Sequence, residues 1–269
     1  RDSITNSYVA GPISGNGTTE TFTTPMITSS TTYNVVATSF GTALSFDGID
    51  DHIDATGAFF AMPQANSPRT MEAWINTTNG NTSNILSWGN TSSNNRSSLA
   101  TRNNHLAFLG EFNDVEGNIV VNDGNWHHVA ASFDGTTMSL YVDGVLDVSQ
   151  AINLNTFNNR LRIGMISVPG NSQFFAGEID EVRVWSTGLT QAEINSNIYN
   201  CLDGNEPNLV VYYNFNEGSG SSIVSDRIGN VNNNGILTNM NPATDWVQGV
   251  GVCPECEQVM AQVNVTVTP

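Results

Sequence analysis

The chain has 269 residues, of which 39% are hydrophobic and 12% charged, and its eight Lys and Arg against 25 Asp and Glu give a net charge of −17. This charge repels phosphate backbones and anionic lipids, which argues against nucleic-acid and membrane-surface binding, whereas a surplus of carboxylates suits Ca²⁺. No stretch approaches the roughly 20 apolar residues of a membrane-spanning helix, and no signal peptide is recognisable, so we expect a piece of a mature, exported chain that does not insert into a membrane.

The two ends of the sequence each contain strand-like segments. Residues 20–38 carry Thr, Val and Tyr at strand spacing, and the last segment alternates at Val263, Val265 and Val267. Neither end has enough strands for a sheet of its own. We therefore predict that the two ends pair with each other around everything between them.

The segment 76–105 is rich in Asn, Ser and Gly. This composition predicts a hairpin of two polar strands with a long loop, and loops are where a β-sandwich usually carries its binding specificity. Side-chain amides can pair with two sugar hydroxyls at once, so Asn90 and Asn94 are candidate ligand-binding residues. The alternative is that they are ordinary solvated turn residues.

Two consecutive strands are predicted in the stretch 123–147. Apolar residues alternate there with small or polar ones, and Asp-Gly pairs stand where the chain must reverse. The predicted core-facing residues are Val129, Ala131, Phe133, Met138, Leu140 and Val142. His127 is then expected at a strand start, hydrogen-bonded to a neighbour, and His128 is expected to face solvent.

A short helix and an aromatic strand follow. Thr190 with Glu193 three residues later forms a capping box, which predicts a helix start. Residues 209–215 alternate so that one tyrosine lies on each face of a strand. The favoured interpretation of Tyr212 is core or edge packing; the alternative is a flat platform for a sugar ring, for which Tyr212, Trp88 and Trp246 are the candidates.

The chain has three cysteines and no pattern of a zinc site. One disulfide and one odd thiol is the simplest arrangement. The expected bond joins Cys201 to Cys253 or to Cys256, and the odd number suggests that a further cysteine lies upstream of Arg1.

The two end segments resemble the last strands of the immunoglobulin-like repeats of large bacterial surface adhesins. The resemblance rests on "TFTTPMITSSTTYNVVATS" and on "CEQVMAQVNVTVTP", with a Thr-Thr-Tyr strand, a cysteine-containing turn and a Val-Thr-Val-Thr strand. It implies that the first strands of such a repeat, with their own cysteine, precede Arg1.

The intervening residues resemble the laminin-G-like jelly rolls of the concanavalin A-like lectin and glucanase superfamily. Five motifs occur in the expected order: "ALSFDGIDDHIDA" at 43–55, "TMEAWINTT" at 70–78, "GNWHHVAASFDGTTMSLYVDGVL" at 124–146, "FAGEIDEVRVWSTGLTQAEI" at 175–194 and "LVVYYNFNEGSGSSIVSD" at 209–226. In this resemblance the histidine-containing stretch corresponds to two core strands and not to a reaction centre.

The superfamily also contains glycoside hydrolases, whose retaining members need two carboxylates about 5 Å apart. Glu178 and Asp180 share a strand face, but the carboxylate that similar glucanases place five residues after the first is replaced by Arg183. Glu72 has no paired carboxylate in sequence. The sequence therefore predicts no catalytic residues.

Asp180 has the parity of Val182 and Val184, which predicts that it faces the core. A buried carboxylate is costly unless it is protonated, hydrogen-bonded or bound to a cation. Similar jelly rolls hold a structural Ca²⁺ between the equivalent of this aspartate and the turn "FDGIDD". The resemblance thus implies a Ca²⁺ site formed by Asp47, the Gly48 carbonyl, Asp51 (or Asp50) and Asp180, against the alternative of a hydrogen-bonded Asp180 and a simple turn.

We therefore predict an all-β protein in which an antiparallel, laminin-G-like jelly-roll sandwich, residues 43–249, is inserted into a small immunoglobulin-like β-sandwich formed by residues 1–42 and 250–269. The predicted function is non-catalytic adhesion or carbohydrate binding, with a glycan or cell-surface ligand and one structural Ca²⁺. The fragment is expected to be monomeric, as part of a large secreted protein at a bacterial cell surface. A glycoside hydrolase and a purely structural spacer are the alternatives.

Overall fold

The computed structural model describes residues 31–37, 41–55, 57–58, 61–157, 160–168, 173–251 and 259–265, and for the segments 31–37 and 259–265 it describes the backbone alone. The chain divides into two compact units, Arg1–Ser39 with Pro254–Pro269, and Phe40–Cys253. No helix of the described residues is long and apolar enough to cross a membrane.

The smaller unit contains a two-stranded antiparallel sheet of β1 (Thr31–Ala37) and β18 (Val259–Val265). Thr31 pairs with Val265 and Ala37 with Val259. The two ends of the chain thus pair as their strand-like patterns predict. That this sheet belongs to an immunoglobulin-like sandwich, and that the domain boundaries lie at 42 and 250, stay predictions.

The larger unit is built almost entirely from β-strands. In chain order they are β2 (Thr42–Asp47), β3 (His52–Ala55), β4 (Arg69–Asn76), β5 (Ser83–Trp88), β6 (Ser97–Arg102), β7 (His105–Leu109), β8 (Val115–Val120), β9 (Trp126–Phe133), β10 (Thr137–Val142), β11 (Val145–Ala151), β12 (Leu161–Ile163), β13 (Ala176–Trp185), β14 (Leu209–Tyr213), β15 (Ile223–Val224), β16 (Gly235–Thr238) and β17 (Trp246–Gln248).

These strands form two eight-stranded antiparallel sheets. The first sheet has the order β11-β10-β9-β4-β13-β2-β17, with β14 also paired to β13, and the second has the order β15-β16-β3-β12-β5-β6-β7-β8. About half of the neighbouring strand pairs in each sheet are distant in sequence, as expected for a sandwich whose strands cross between sheets. The all-β antiparallel sandwich is therefore confirmed.

The core lies between the two sheets. Val129, Ala131 and Phe133 of β9 are all fully buried in it, and β10 pairs with β9 so that Met138 lies opposite Phe133 and Leu140 opposite Ala131. The predicted alternation of these two strands is confirmed. Strand β10 is joined to β11 by Asp143 and Gly144. Both residues have positive φ, which is the backbone conformation of a tight hairpin turn.

The outer face of the first sheet is also covered. Helix α1 (Gln191–Asn197) begins at the predicted capping box of Thr190 and Glu193. This helix and its flanking segments pack onto the sheet in a second apolar cluster of buried residues. Its members are Trp74, Ala130, Tyr141, Trp185, Leu189, Ile194, Ile198, Leu209 and Tyr212.

This cover corrects the expectation for His128, whose exposed fraction is 1%. His128 does point away from the core, but the outer face on which it lies is beneath the second cluster, beside Trp74 at 5.6 Å between ring centroids. Burial lowers the pKa of His128 to about 3, so its ring is neutral at physiological pH. His127 meets its expectation, since its Nδ1 lies 2.8 Å from Asp143 Oδ2.

Candidate functional site

A β-bulge in β13 decides where Asp180 lies. The register against β4 shifts between Asp180 and Arg183, and Glu181 takes a left-handed backbone with φ +53°. The extra residue places Ile179 and Val182 toward the core with two residues between them, so Asp180 lies on the outer face opposite Trp74. The prediction that Asp180 faces the core is therefore wrong, because simple alternation does not survive a bulge.

Asp180 is buried with both carboxylate oxygens hydrogen-bonded to backbone. Oδ1 accepts from the Glu181 amide at 2.8 Å and Oδ2 from the Val250 amide at 3.0 Å. Burial, and then the charge of Glu181, raise the pKa of Asp180 well above its usual value. These contacts correspond to the alternative in which Asp180 is a hydrogen-bonded structural residue.

The turn between β2 and β3 brings three carboxylates together. One oxygen each of Asp47, Asp50 and Asp51 lie within 4.8 Å of one another. Asp47 Oδ1 accepts from the amides of Ile49 at 2.8 Å and Asp50 at 3.2 Å, which fixes the turn. Gly48 makes the turn possible, because its φ is +76° and a Cβ there would lie 2.7 Å from Ala176 Cβ.

Among the described residues, this aspartate turn carries negative charge without a positively charged partner. No Lys, Arg or His of the described segments forms an ion pair with Asp47, Asp50 or Asp51. Burial, and then the charges of Asp47, Asp245 and Asp50, raise the pKa of Asp51 to about 6. Crowded, partly desolvated carboxylates of this kind are hard oxygen ligands, which Ca²⁺ prefers, and a divalent cation would remove their repulsion.

The structure separates the predicted metal ligands into two groups. Asp47, Gly48 and Asp51 share the aspartate turn, where Asp47 pairs with Ala176 at the start of β13. Asp180 follows Ala176 by four residues in the same extended strand, which separates it from the turn by roughly 13 Å. Asp180 is therefore too far from the turn to share one cation with it.

A shallow, open cleft of about 320 Å³ adjoins the aspartate turn. It lies where β2 and β4 end and β13 begins. Ala176 lines the cleft and pairs with Asp47 of the aspartate turn. Its lining is rich in amide, hydroxyl and carboxylate groups: Ser45, Phe46, Asn76, Thr77, Thr78, Asn79, Ala176, Gly177 and Glu178.

The cleft is held in shape by hydrogen bonds across its floor. Thr77 Oγ1 donates to the Ala176 carbonyl at 2.6 Å, and Asn76 Nδ2 donates to Glu178 Oε2 at 3.2 Å. Gly177 has φ +136°, and a Cβ at this position would lie 2.3 Å from the Asn76 carbonyl oxygen. Only glycine permits this close approach, so the shape of the cleft depends on it. Sequence inspection did not identify the cleft, because its residues come from strand ends far apart in the chain.

The three aromatic candidates for sugar stacking are buried. Trp88 and Tyr212 have no exposed surface, and Trp246 is 8% exposed. Each polar group has a partner within the protein: Trp88 Nε1 donates to the Pro63 carbonyl, Tyr212 Oη to Glu181 Oε2, and Trp246 Nε1 to the Ser221 carbonyl. The stacking interpretation is therefore wrong for all three residues, and the core interpretation of Tyr212 is confirmed.

The predicted amide candidates lie in the loop between β5 and β6, at the opposite end of β4 from the cleft. Asn90 and Asn94 are half-buried there. The Asn90 side chain accepts from the Ser92 amide at 2.8 Å, and Asn94 Oδ1 accepts from Asn113 Nδ2. Both asparagines are accessible at the surface of a well-defined loop.

Of the carboxylates considered for hydrolysis, Glu72 lies in a buried network with Glu181 and Arg183. Arg183 Nη2 lies 2.6 Å from Glu181 Oε2, and Arg183 Nη1 lies 3.7 Å from Glu72 Oε1. Glu72 has no exposed surface and accepts a hydrogen bond from Trp185 Nε1 at 3.0 Å. The cation therefore neutralises two carboxylates beneath helix α1, where a polysaccharide has no access.

Cys201 is disulfide-bonded. Both predicted partners, Cys253 and Cys256, lie outside the described residues. The choice between them stays open.

Two packed antiparallel sheets with polar groups gathered at the strand ends define a lectin-like β-sandwich. A laminin G family model of the concanavalin A-like lectin/glucanases superfamily matches residues 46–195, more than half of the chain. The chain belongs to this family.

Several solved structures are similar to this chain. A protein from Bacteroides ovatus with an inferred carbohydrate-binding role matches with a TM-score of 0.60 and 21% identity, over 74% of this chain and 58% of its own length. Domain 4 of an extracellular arabinanase from Geobacillus stearothermophilus, bound to arabinotriose, has a TM-score of 0.45 and 21% identity, over 60% of this chain and 80% of its own. The carbohydrate-binding module CBM40 of a Ruminococcus gnavus sialidase, bound to α2,3-sialyllactose, has a TM-score of 0.44 and 15% identity, over 61% of this chain and 96% of its own.

The chain thus spans little more than half the length of the Bacteroides ovatus protein. No protein among those with curated descriptions matches this sequence.

Proposed function

We propose that the larger unit is a non-catalytic carbohydrate-binding domain of a large secreted bacterial surface protein, in which it contributes to adhesion. The observation that carries the proposal is the 320 Å³ cleft, whose amides, hydroxyls and carboxylate lie beside the aspartate turn. Such groups match the alternating donors and acceptors of sugar hydroxyls. Membership of a lectin superfamily and the fold shared with the Bacteroides ovatus protein support the same function.

Two further parts of the proposal concern the cation and the context of the domain. Ca²⁺ bound by Asp47, Asp50 and Asp51, with the Gly48 carbonyl, would hold the turn that directly follows Ser45 and Phe46 of the cleft. The paired ends of the chain would belong to an immunoglobulin-like repeat, as their resemblance to adhesin strands implies, and the fragment would be monomeric.

Calcium binding is tested by thermal unfolding of metal-stripped protein with Ca²⁺ or with chelator. Because Ca²⁺ binds only the folded turn, we expect a stabilisation of about 2.7 kcal/mol at 100 times the Kd. Asp47→Asn should abolish this shift. Asp180→Asn is the matched control and should keep it, because Asp180 does not reach the turn. Equal shifts in NaCl of the same ionic strength would contradict a specific site.

Sugar binding is tested by affinity electrophoresis and calorimetry against neutral oligosaccharides and polysaccharides. We expect Asn76→Ala and Glu178→Gln to weaken binding at least tenfold, because both side chains line the cleft. Asn118→Ala, at an exposed position of β8, is the control and should bind as the unaltered protein does. If no sugar binds at millimolar concentration, the result would contradict the proposed function and favour the alternative of a purely structural spacer.

A further inference from the structure

Three loops meet at the end of the sandwich opposite the cleft, residues 89–96, 110–114 and 153–157, which we call the aromatic rim. Hydrogen bonds join all three. The Asn94 amide donates to the Glu111 carbonyl at 2.8 Å, and the Asn155 amide donates to the Asn94 carbonyl at 2.7 Å. Arg69, the first residue of β4, fixes the rim to the sandwich by donating to Thr156 Oγ1 at 2.9 Å. The rim is therefore rigidly supported.

Two phenylalanines project from this rim into solvent. Phe112 is 82% exposed and Phe157 is 63% exposed, the largest exposures of any aromatic residue in the described parts of the chain except Tyr199. Phe112 has φ +73° and follows Glu111 with φ +58°. A bulky residue at positive φ is strained. Strained residues cluster at functional sites, and here the strain holds an apolar ring in water. The rigid rim thus displays both rings.

Each ring lies next to an asparagine of one shared network. Phe157 is fixed by its amide, which donates to Asn95 Oδ1 at 3.1 Å. Phe112 precedes Asn113, whose Nδ2 donates to Asn94 Oδ1 and also to the Asn153 carbonyl at 2.7 Å. The other amide atoms, Nδ2 of Asn94 and Oδ1 of Asn113, make no hydrogen bond to any described residue. One free donor and one free acceptor therefore belong to the asparagine network of the loops that carry the two rings.

We propose that the aromatic rim is a second carbohydrate-binding surface that takes neutral, equatorially substituted pyranose chains; this proposal rests on the proposed function of the domain. The C–H face of such a sugar packs on Phe112 and Phe157, and its hydroxyls pair with the amides of Asn94 and Asn113. The net charge of −17 disfavours uronic acids and sulfated sugars, and the one rim arginine, Arg96, is paired with Glu111 at 3.1 Å. A protein partner fits less well, because the loops that carry the two rings are rich in asparagine.

The rim is tested by NMR titration with cellohexaose, xylohexaose and mannohexaose, followed at the side-chain amides of Asn94 and Asn113. The background is Asn76→Ala with Glu178→Gln, so that the cleft does not contribute. We expect saturable shifts of both amides with cellohexaose or xylohexaose, and weaker ones with mannohexaose, whose 2-hydroxyl is axial. Phe112→Ala and Phe157→Ala should each weaken this binding at least tenfold without lowering the thermal midpoint, because both rings are exposed.

Tyr199→Ala, which removes a 72% exposed aromatic ring far from the rim, is the control and should leave the titration unchanged. Sugar binding that depends on Asn76 and Glu178 but leaves the rim amides unmoved would overturn the second surface and keep the proposed function. Binding of no sugar at either end would overturn both. Self-association that depends on Phe112, without sugar binding, would replace the sugar with a protein contact.

Discussion

At the scale of single residues, the aspartate turn shows how like charges set the behaviour of one carboxyl. Asp51 is 6% exposed and has Asp47, Asp50 and Asp245 around it. Its pKa in the folded protein, about 6, is above the ordinary value of 3.8. Folding therefore favours the protonated carboxyl, and the turn is under electrostatic strain at neutral pH.

The pH dependence of stability follows from this shift. In chelator, the free energy of unfolding should fall as the pH rises from about 4 to about 6, because the raised folded pKa stabilises the protein only while Asp51 stays protonated. Each pKa unit corresponds to about 1.4 kcal/mol, and screening by water reduces the effect to on the order of 1 kcal/mol. Asp51→Asn should remove this loss, and saturating Ca²⁺ should remove it too by holding the ionised form. The measurement is urea unfolding followed by tryptophan fluorescence, since all five tryptophans lie between residues 40 and 253.

Residue-scale prediction from the sequence succeeded where local chemistry decides and failed where packing decides. The aspartate turn is visible in "FDGIDD", since Gly permits the turn and the carboxylates are adjacent. Nothing local shows that Trp88 and Tyr212 are covered by other parts of the chain. Phe112 and Phe157 could have been found, because each is followed by an asparagine in a polar stretch of sequence, in "GEFND" and "NTFNN".

At the scale of elements, Arg183 connects the first sheet to the helix that covers it. Its Nη1 donates to the Asn197 carbonyl at 2.8 Å and its Nη2 to the Asn200 carbonyl at 3.2 Å, at the end of α1. The guanidinium also lies over the Tyr212 ring at 5.2 Å. Although burial disfavours a charge, Glu181 and Glu72 raise the pKa of Arg183, which stays protonated.

Removing the charge of Arg183 should destabilise the protein strongly. Arg183→Met leaves Glu72 and Glu181 buried without a positive partner and frees the end of α1, so we expect a loss of about 3–5 kcal/mol of unfolding free energy. Arg102→Met removes a half-exposed cation paired with Asp114 and Glu116 and should cost about 1 kcal/mol or less. Urea unfolding of both variants measures the two losses of unfolding free energy. Equal losses would contradict the anchoring role of Arg183.

The elements themselves were largely readable from the sequence. Period-two alternation identified β9 and β10, and a capping box identified α1. The bulge at Glu181 was not readable, because a left-handed glutamate carries no local signal and is stabilised by its bonds to Arg183 and Tyr212. That one residue changed the predicted side of Asp180 and with it the predicted calcium ligands.

At the scale of the whole molecule, the family and the sandwich follow from an ordered series of motifs, whereas the cleft arises only when distant strand ends meet.

The net charge of −17 acts on the folded protein as a whole. Because mutual repulsion weakens with salt, raising NaCl from about 0.01 M to about 0.3 M shortens the screening length from about 30 Å to under 10 Å.

We therefore expect the urea midpoint to rise over this range, with a gain on the order of 1 kcal/mol in unfolding free energy. The comparison with CaCl₂ at equal ionic strength separates general screening from binding at the aspartate turn. A midpoint that is independent of NaCl would show that the carboxylates are too dispersed for their repulsion to matter.

The register of the small sheet has a mechanical consequence. Thr31 and Val265 are partners at one end of the ladder, and Ala37 and Val259 are partners at the other. A stretching force applied at residues 31 and 265 therefore peels the strands apart one pair at a time, which needs less force than sliding them past each other. The whole larger unit lies in the chain between residues 37 and 259. Under tension applied at residues 31 and 265, this ladder would open before the sandwich carried any load.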